Sequence, residues 1–157
     1  MFYYNQYIRA KSLEEAYELY QKRQNFIVGG MLWTKMKNTT LGTAIDLCEL
    51  GLDGIEENEN EFRIGAYVSL RDIETNESLN KYTDNAFANS VKDIVGVQFR
   101  NVATVGGSIW GRYGFSDVMT IFRALGAKVE LFHEGIMELD DFVKLPRTVR
   151  DILVSVI

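Results

Sequence analysis

The chain has 157 residues, enough for one domain or for two small lobes sharing a core. Its apolar content of 46%, charged content of 25% and net charge of −5 are ordinary for a globular protein and exclude the basic face that nucleic-acid binding needs. No apolar run reaches the about 18 residues of a membrane helix, and the lone cysteine, Cys48, excludes an internal disulfide.

Met1 to Arg9 is aromatic and polar and does not read as a signal peptide, so a cytoplasmic chain is expected. Cys48, among Ile45, Leu47 and Leu50, reads as a small core residue. With a single His and a single Cys, protein-ligated iron–sulfur clusters and most zinc sites are ruled out.

Ser12 with Glu15 three residues on reads as a capping box, opening a predicted helix from Leu13 to Arg23. Asn25 to Val28 is an apolar run halted by Gly29-Gly30, a buried strand ending in a tight turn. A second strand is predicted over Thr43–Leu47, giving a small α/β unit in residues 1–50. The character changes in residues 51–157. Gly54 to Ala66 reads as a hairpin with an acidic, solvated tip, Ser69 caps a helix, and Asp84 to Val95 is predicted helical with Phe87, Val91, Ile94 and Val95 on one face. Val97 to Ser108 reads as glycine-rich and irregular. Ser116 to Leu125 is a helix stopped by Gly126, Ala127 to Phe132 a strand turning at His133-Glu134-Gly135, and Asp151 to Ile157 a last strand that stops in mid-pattern. Together these predict an α+β fold.

Two segments share one pattern: Ile27-Val28-Gly29-Gly30-Met31-Leu32-Trp33 and Thr104-Val105-Gly106-Gly107-Ser108-Ile109-Trp110. Glycine admits positive φ and lets a ligand approach the amides, and successive N–H groups in such turns form a nest for phosphate oxygens. Neither segment carries the Gly-x-Gly-x-x-Gly fingerprint or a P-loop. Arg100 and Arg112 flank the second segment, where phosphate contact and plain surface charge are equally open. Trp33 and Trp110, one after each segment, fit either a cofactor pocket or the core.

The run Val102-Ala103-Thr104-Val105-Gly106-Gly107-Ser108-Ile109, with Ser116-Asp117 and Ala124-Leu125-Gly126-Ala127 beyond it, closely resembles the molybdopterin-dehydrogenase FAD-binding family. That family comprises the flavin subunits or domains of xanthine dehydrogenase, carbon monoxide dehydrogenase and related enzymes. The resemblance implies a two-lobed FAD domain of the vanillyl-alcohol-oxidase type, here lacking a C-terminal lobe. It implies that Val28, Gly29, Gly30, Met31, Leu32 and Trp33, with Ala103, Thr104, Gly106, Gly107, Ser108 and Ile109, wrap the diphosphate and ribityl. Asp117 would bond the ribose or adenine side, Ile94 would face the isoalloxazine and Leu153 would lie near the adenine. The implied role is to relay electrons between iron–sulfur centres of a partner and NAD or another acceptor, beside molybdopterin-binding and iron–sulfur subunits. No residue need act as acid or base.

Three departures stand out. Met31 and Leu32 replace the family's Thr and Asp, Ser108 replaces its Asn, and Gly114-Phe115 replaces a Pro. Each lost neutral hydrogen bond would cost about 1 kcal/mol. The second reading left open is a docking scaffold of the same fold that has lost FAD.

Overall fold

A computed structural model describes residues 1–157. The first 46 residues build a three-stranded sheet in the order β1-β3-β2, with β1 at Phe2–Arg9, β2 at Phe26–Val28 and β3 at Thr39–Asp46. Both neighbours run parallel to β3. Strand β1 is not anticipated by the sequence: its side chains are mostly solvent-facing, Tyr3, Tyr4 and Tyr7 among them, so no buried face marks it. Helix α1, Leu13–Gln21, starts at Ser12, whose Oγ accepts the Glu15 N–H at 3.2 Å. The Glu15 carboxylate accepts from the N–H of Lys11 (2.7 Å), so the return bond of the box lands one residue early.

The rest of the chain forms a five-stranded antiparallel sheet in the order β4-β5-β8-β6-β7: β4 Ile55–Glu57, β5 Phe62–Gly65, β6 Lys128–Leu131, β7 Gly135–Glu138 and β8 Leu153–Val156. Helices pack beside it. Helix α2, Leu70–Thr75, has a complete capping box, Asp72 N–H to Ser69 Oγ at 3.0 Å and Ser69 N–H to Asp72 Oδ2 at 3.1 Å. The helix expected over Asp84–Val95 is shorter. Asp84 and Asn85 sit at φ 49° and 61°, so α4 begins at Ala86 and ends at Val91, and an additional helix, α3, Glu77–Tyr82, precedes it. Buried Asn80 ties these pieces together, donating to Ile73 O (2.9 Å) and accepting from Ala88 N–H (2.8 Å).

The expectation of an irregular Val97–Ser108 is overturned. Two helices lie there, α5 at Val97–Arg100 and α6 at Val105–Gly111. Helix α7, Asp117–Ala124, ends at Gly126 with φ 67°, as its cap glycine predicted, and a last helix, α8, spans Leu139–Lys144. No helix is long and apolar enough to cross a membrane.

The main core gathers 21 buried residues between the five-stranded sheet and its helices, among them Phe87, Phe122, Val129 and Phe142. A smaller one of 7 lies between α1 and the parallel sheet and takes in Leu52 and Ile152 from the later chain. Cys48 joins neither. Strand β3 ends at Asp46 and the chain turns outward, leaving Cys48 exposed with its N–H on Asp46 Oδ1 at 3.0 Å.

Candidate cofactor cleft

The two double-glycine segments face each other, and steric contact explains their glycines. A Cβ on Gly30 would stand 1.9 Å from the Val102 carbonyl oxygen, and one on Gly106 would stand 2.6 Å from that of Ala66. Real side chains do not approach backbone so closely, so only glycine lets these strands and turns cross. Positive φ is not the reason: none of Gly29, Gly30, Gly106 and Gly107 adopts it, whereas Met31 does at 55°.

The backbone donors differ sharply between the segments. In the second, Gly106 N–H donates to Ala66 O (2.8 Å), Gly107 N–H to the capping Thr104 Oγ1 (3.1 Å) and Ser108 N–H to Thr104 O (3.1 Å). This is the first turn of α6, with its donors already engaged. In the first, the N–H groups of Gly30, Met31, Leu32 and Trp33 donate to no acceptor of the chain. The open amides of the cleft therefore belong to the first segment.

A cleft of about 500 Å³ runs between the segments, within the range of small-molecule sites. Every expected site residue lines it except Val28 and Ile109. Val28 is buried, and its carbonyl accepts the Tyr67 hydroxyl. Ile109 lies wholly in the main core. Tyr67 was missed by sequence reasoning, since nothing in its spacing marks it. Its hydroxyl also accepts the Leu47 N–H (3.0 Å), which clamps β2 and β3 at the cleft floor, and burial pushes its pKa up.

Positive charge comes from Arg112, Arg147 and Lys37, all in the cleft wall. Arg112 is buried at φ 47°, donates through Nη1 to Leu145 O (2.6 Å) and Phe142 O (3.3 Å), and has a buried Nε with no partner. Arg147 donates to Gly111 O (2.6 Å) and Arg112 O (2.9 Å). Neither guanidinium lies within salt-bridge distance of a carboxylate. Burial, then repulsion from Arg147, lowers the pKa of Arg112. Arg100 points elsewhere: it is paired with Glu74 at 2.7 and 3.2 Å and bonded to Ile94 O at 3.1 Å.

The acids in the wall play different parts. Asp117, first residue of α7, is exposed and unpaired. Asp151 is buried, and its carboxylate accepts the N–H groups of His133 (3.0 Å), Glu134 (2.9 Å) and Ile152 (2.7 Å), which fixes the β6–β7 turn. No group of three or more His, Cys, Asp or Glu converges as a metal site would require. Open amides, two acid-free guanidiniums and a wall containing Trp33, Trp110, Tyr113 and Phe115 form a donor set suited to a phosphate-bearing ligand with flat rings.

Comparison with known proteins fits that chemistry. Residues 3–157 match the family model of the FAD binding domain in molybdopterin dehydrogenase. The uncharacterized protein YgfM of Escherichia coli (strain K12) is 26% identical over 145 residues, covering 90% of this chain and 54% of YgfM. The chain thus spans about half the length of the relatives it matches. Among solved structures, Cu,Mo-CO dehydrogenase superposes with a TM-score of 0.85 at 24% identity, over 98% of this chain and 58% of that one. Quinoline 2-oxidoreductase from Pseudomonas putida 86 does so with a TM-score of 0.85 at 19% identity, over 99% and 58%. These structural likenesses establish a shared mixed α+β fold.

Proposed function

Because the chain belongs to the family of FAD-binding domains of molybdopterin dehydrogenases, we propose that it seats FAD in this cleft with the diphosphate over the amides of Gly30 to Trp33. The observation that carries the reading is the run of N–H groups there without acceptors, beside a cleft whose wall also includes Arg112 and Arg147. In this reading residues 1–50 and 51–157 are the two lobes of a vanillyl-alcohol-oxidase-type domain, with the cleft between them. Gly29, Ala103, Thr104, Gly106, Gly107 and Ser108 shape the wall around the diphosphate and ribityl. Asp117 bonds the ribose or adenine side, Leu153 lies near the adenine and Ile94 faces the isoalloxazine. Val28 and Ile109 act from behind, Val28 through its bond to Tyr67 and Ile109 through the core beneath α6.

FAD when bound supplies hydride and single-electron chemistry. The chain itself positions, neutralises and excludes water. Loss of the family's Thr and Asp at Met31 and Leu32 weakens such a site little, because backbone groups provide the donors. No side chain of the cleft need move a proton. The larger role that fits is an electron relay in a molybdenum hydroxylase of the xanthine dehydrogenase kind, from iron–sulfur centres of a partner to NAD or another acceptor, with the molybdopterin on a further subunit.

The test is purification of the chain followed by gel filtration and release of bound flavin by denaturation. The expected result is FAD in near-stoichiometric amount, or its uptake on addition. A colourless protein that takes up no added FAD overturns the reading and leaves the docking scaffold.

A further inference from the structure

Three aromatic side chains meet at the mouth of the cleft without belonging to either core. Trp33 comes from the first glycine segment, and Tyr113 and Phe115 from the loop between α6 and α7. Tyr113 and Phe115 are stacked (5.3 Å, 17°), and Trp33 lies edge-on or tilted to both (5.7 Å to Tyr113, 6.0 Å to Phe115). None of the three is among the residues packed in or against the two hydrophobic cores. Trp33 remains 51% exposed and Phe115 68%. Gly111 is shaped to the cluster, since a Cβ there would strike the Tyr113 ring at 2.7 Å.

Large aromatic surface left in water at a cleft, instead of in a core a few residues away, suggests a ligand that covers it. The cluster also begins at the open donors themselves, because the N–H of Trp33 is among those without an acceptor. A ligand with phosphate on those amides therefore carries its ring onto this cluster. Such rings stack on aromatic side chains through their π-faces regardless of their hydrogen-bonding edges.

We propose that Trp33, Tyr113 and Phe115 form a stacking cap for a flat heteroaromatic ring of the bound dinucleotide, joining the first glycine segment to the α6–α7 loop across the ligand. The proposal rests on the FAD reading above. Isothermal titration of FAD, ADP and FMN into the wild-type chain and into Trp33→Ala, Phe115→Ala and Trp33→Phe tests it. Each alanine variant should bind FAD about tenfold more weakly, and Trp33→Phe should recover most of the loss. If the ring is adenine, ADP suffers the same loss and FMN does not; if it is the isoalloxazine, the pattern reverses. Either pattern supports the cap. FAD binding within about twofold of wild type in both alanine variants overturns it while leaving the FAD reading intact. A wild-type chain that binds none of the three overturns both. Should an alanine variant fail to fold, Trp33→Leu and Phe115→Leu, which keep apolar volume but remove the ring, replace them in the same titrations: a loss of about tenfold in FAD affinity supports the cap, and binding within about twofold of wild type overturns it.

Discussion

From Gly30 to Trp33 the backbone amides find no acceptor, whereas from Gly106 to Ser108 each amide ends on an oxygen of its own chain. The two segments look alike in sequence, and both need glycine for the same reason, a backbone crossing too tight for a Cβ. They differ in the path of the chain beyond the glycines. After Gly30 it turns through Met31 at positive φ and stays open. After Gly107 it continues as α6, capped by Thr104. A double glycine thus reports close packing, and only the donor inventory tells which segment is free to receive an anion. In the reading proposed above, the second is a wall and the first a cradle.

That contrast can be strained at several points. Beneath the second segment, α5 is tied to α2 by Arg100, whose side chain is 6% exposed against 13% for its partner Glu74. Glu74→Gln leaves a buried guanidinium uncompensated, and urea melts should show a loss of about 3–5 kcal/mol. The Arg100 hydrogen bond holds the Glu74 carboxyl below its usual 4.5. The stability from this depression is therefore present above that value and lost as pH falls through the lowered one. From about pH 5 downward the wild type should lose more stability than the variant, measured by melts at a series of pH values.

Next come the crossings. Gly30→Ala and Gly106→Ala should each destabilise by about 1–3 kcal/mol, Gly30→Ala more because its clash is the closer. If cradle and wall differ as described, Gly30→Ala also weakens FAD binding strongly, while a folded Gly106→Ala chain binds more nearly as wild type. Thr104→Val removes the cap on Gly107 and should cost about 1 kcal/mol in thermal melts, with a smaller effect on FAD affinity. The smallest effect is expected for Met31→Ala. It keeps the amide and alters only a side chain, so FAD affinity should stay within about twofold.

Much of the fold is legible in the sequence where side-chain pattern and caps agree: Ser12 before α1, Ser69 and Asp72 at α2, Gly126 after α7, and the hairpin around Asn58. Strand β1 is not, because an exposed edge paired on one side carries no burial signal. Helix α6 is hidden because two glycines in its first turn argue against a helix, and the contact of Gly106 with Ala66 overrides that preference. Asp84 and Asn85 are residue types that admit the left-handed conformation, but that preference is too weak to place the turn that divides α3 from α4. Of the cleft, the glycines, Thr104 and Asp117 can be found by resemblance. Tyr67, Arg147 and the Tyr113–Phe115 pair cannot, since only tertiary contact brings them there. The state of the backbone donors is likewise invisible in a sequence.

The most direct test of cradle against wall is a proton–nitrogen correlation spectrum of the labelled chain during titration with FAD. The account predicts that the largest amide shifts fall on Gly30, Met31, Leu32 and Trp33, with Gly106 and Gly107 moving little. Largest shifts at Gly106 to Ser108, with Gly30 to Trp33 unchanged at saturation, would contradict it.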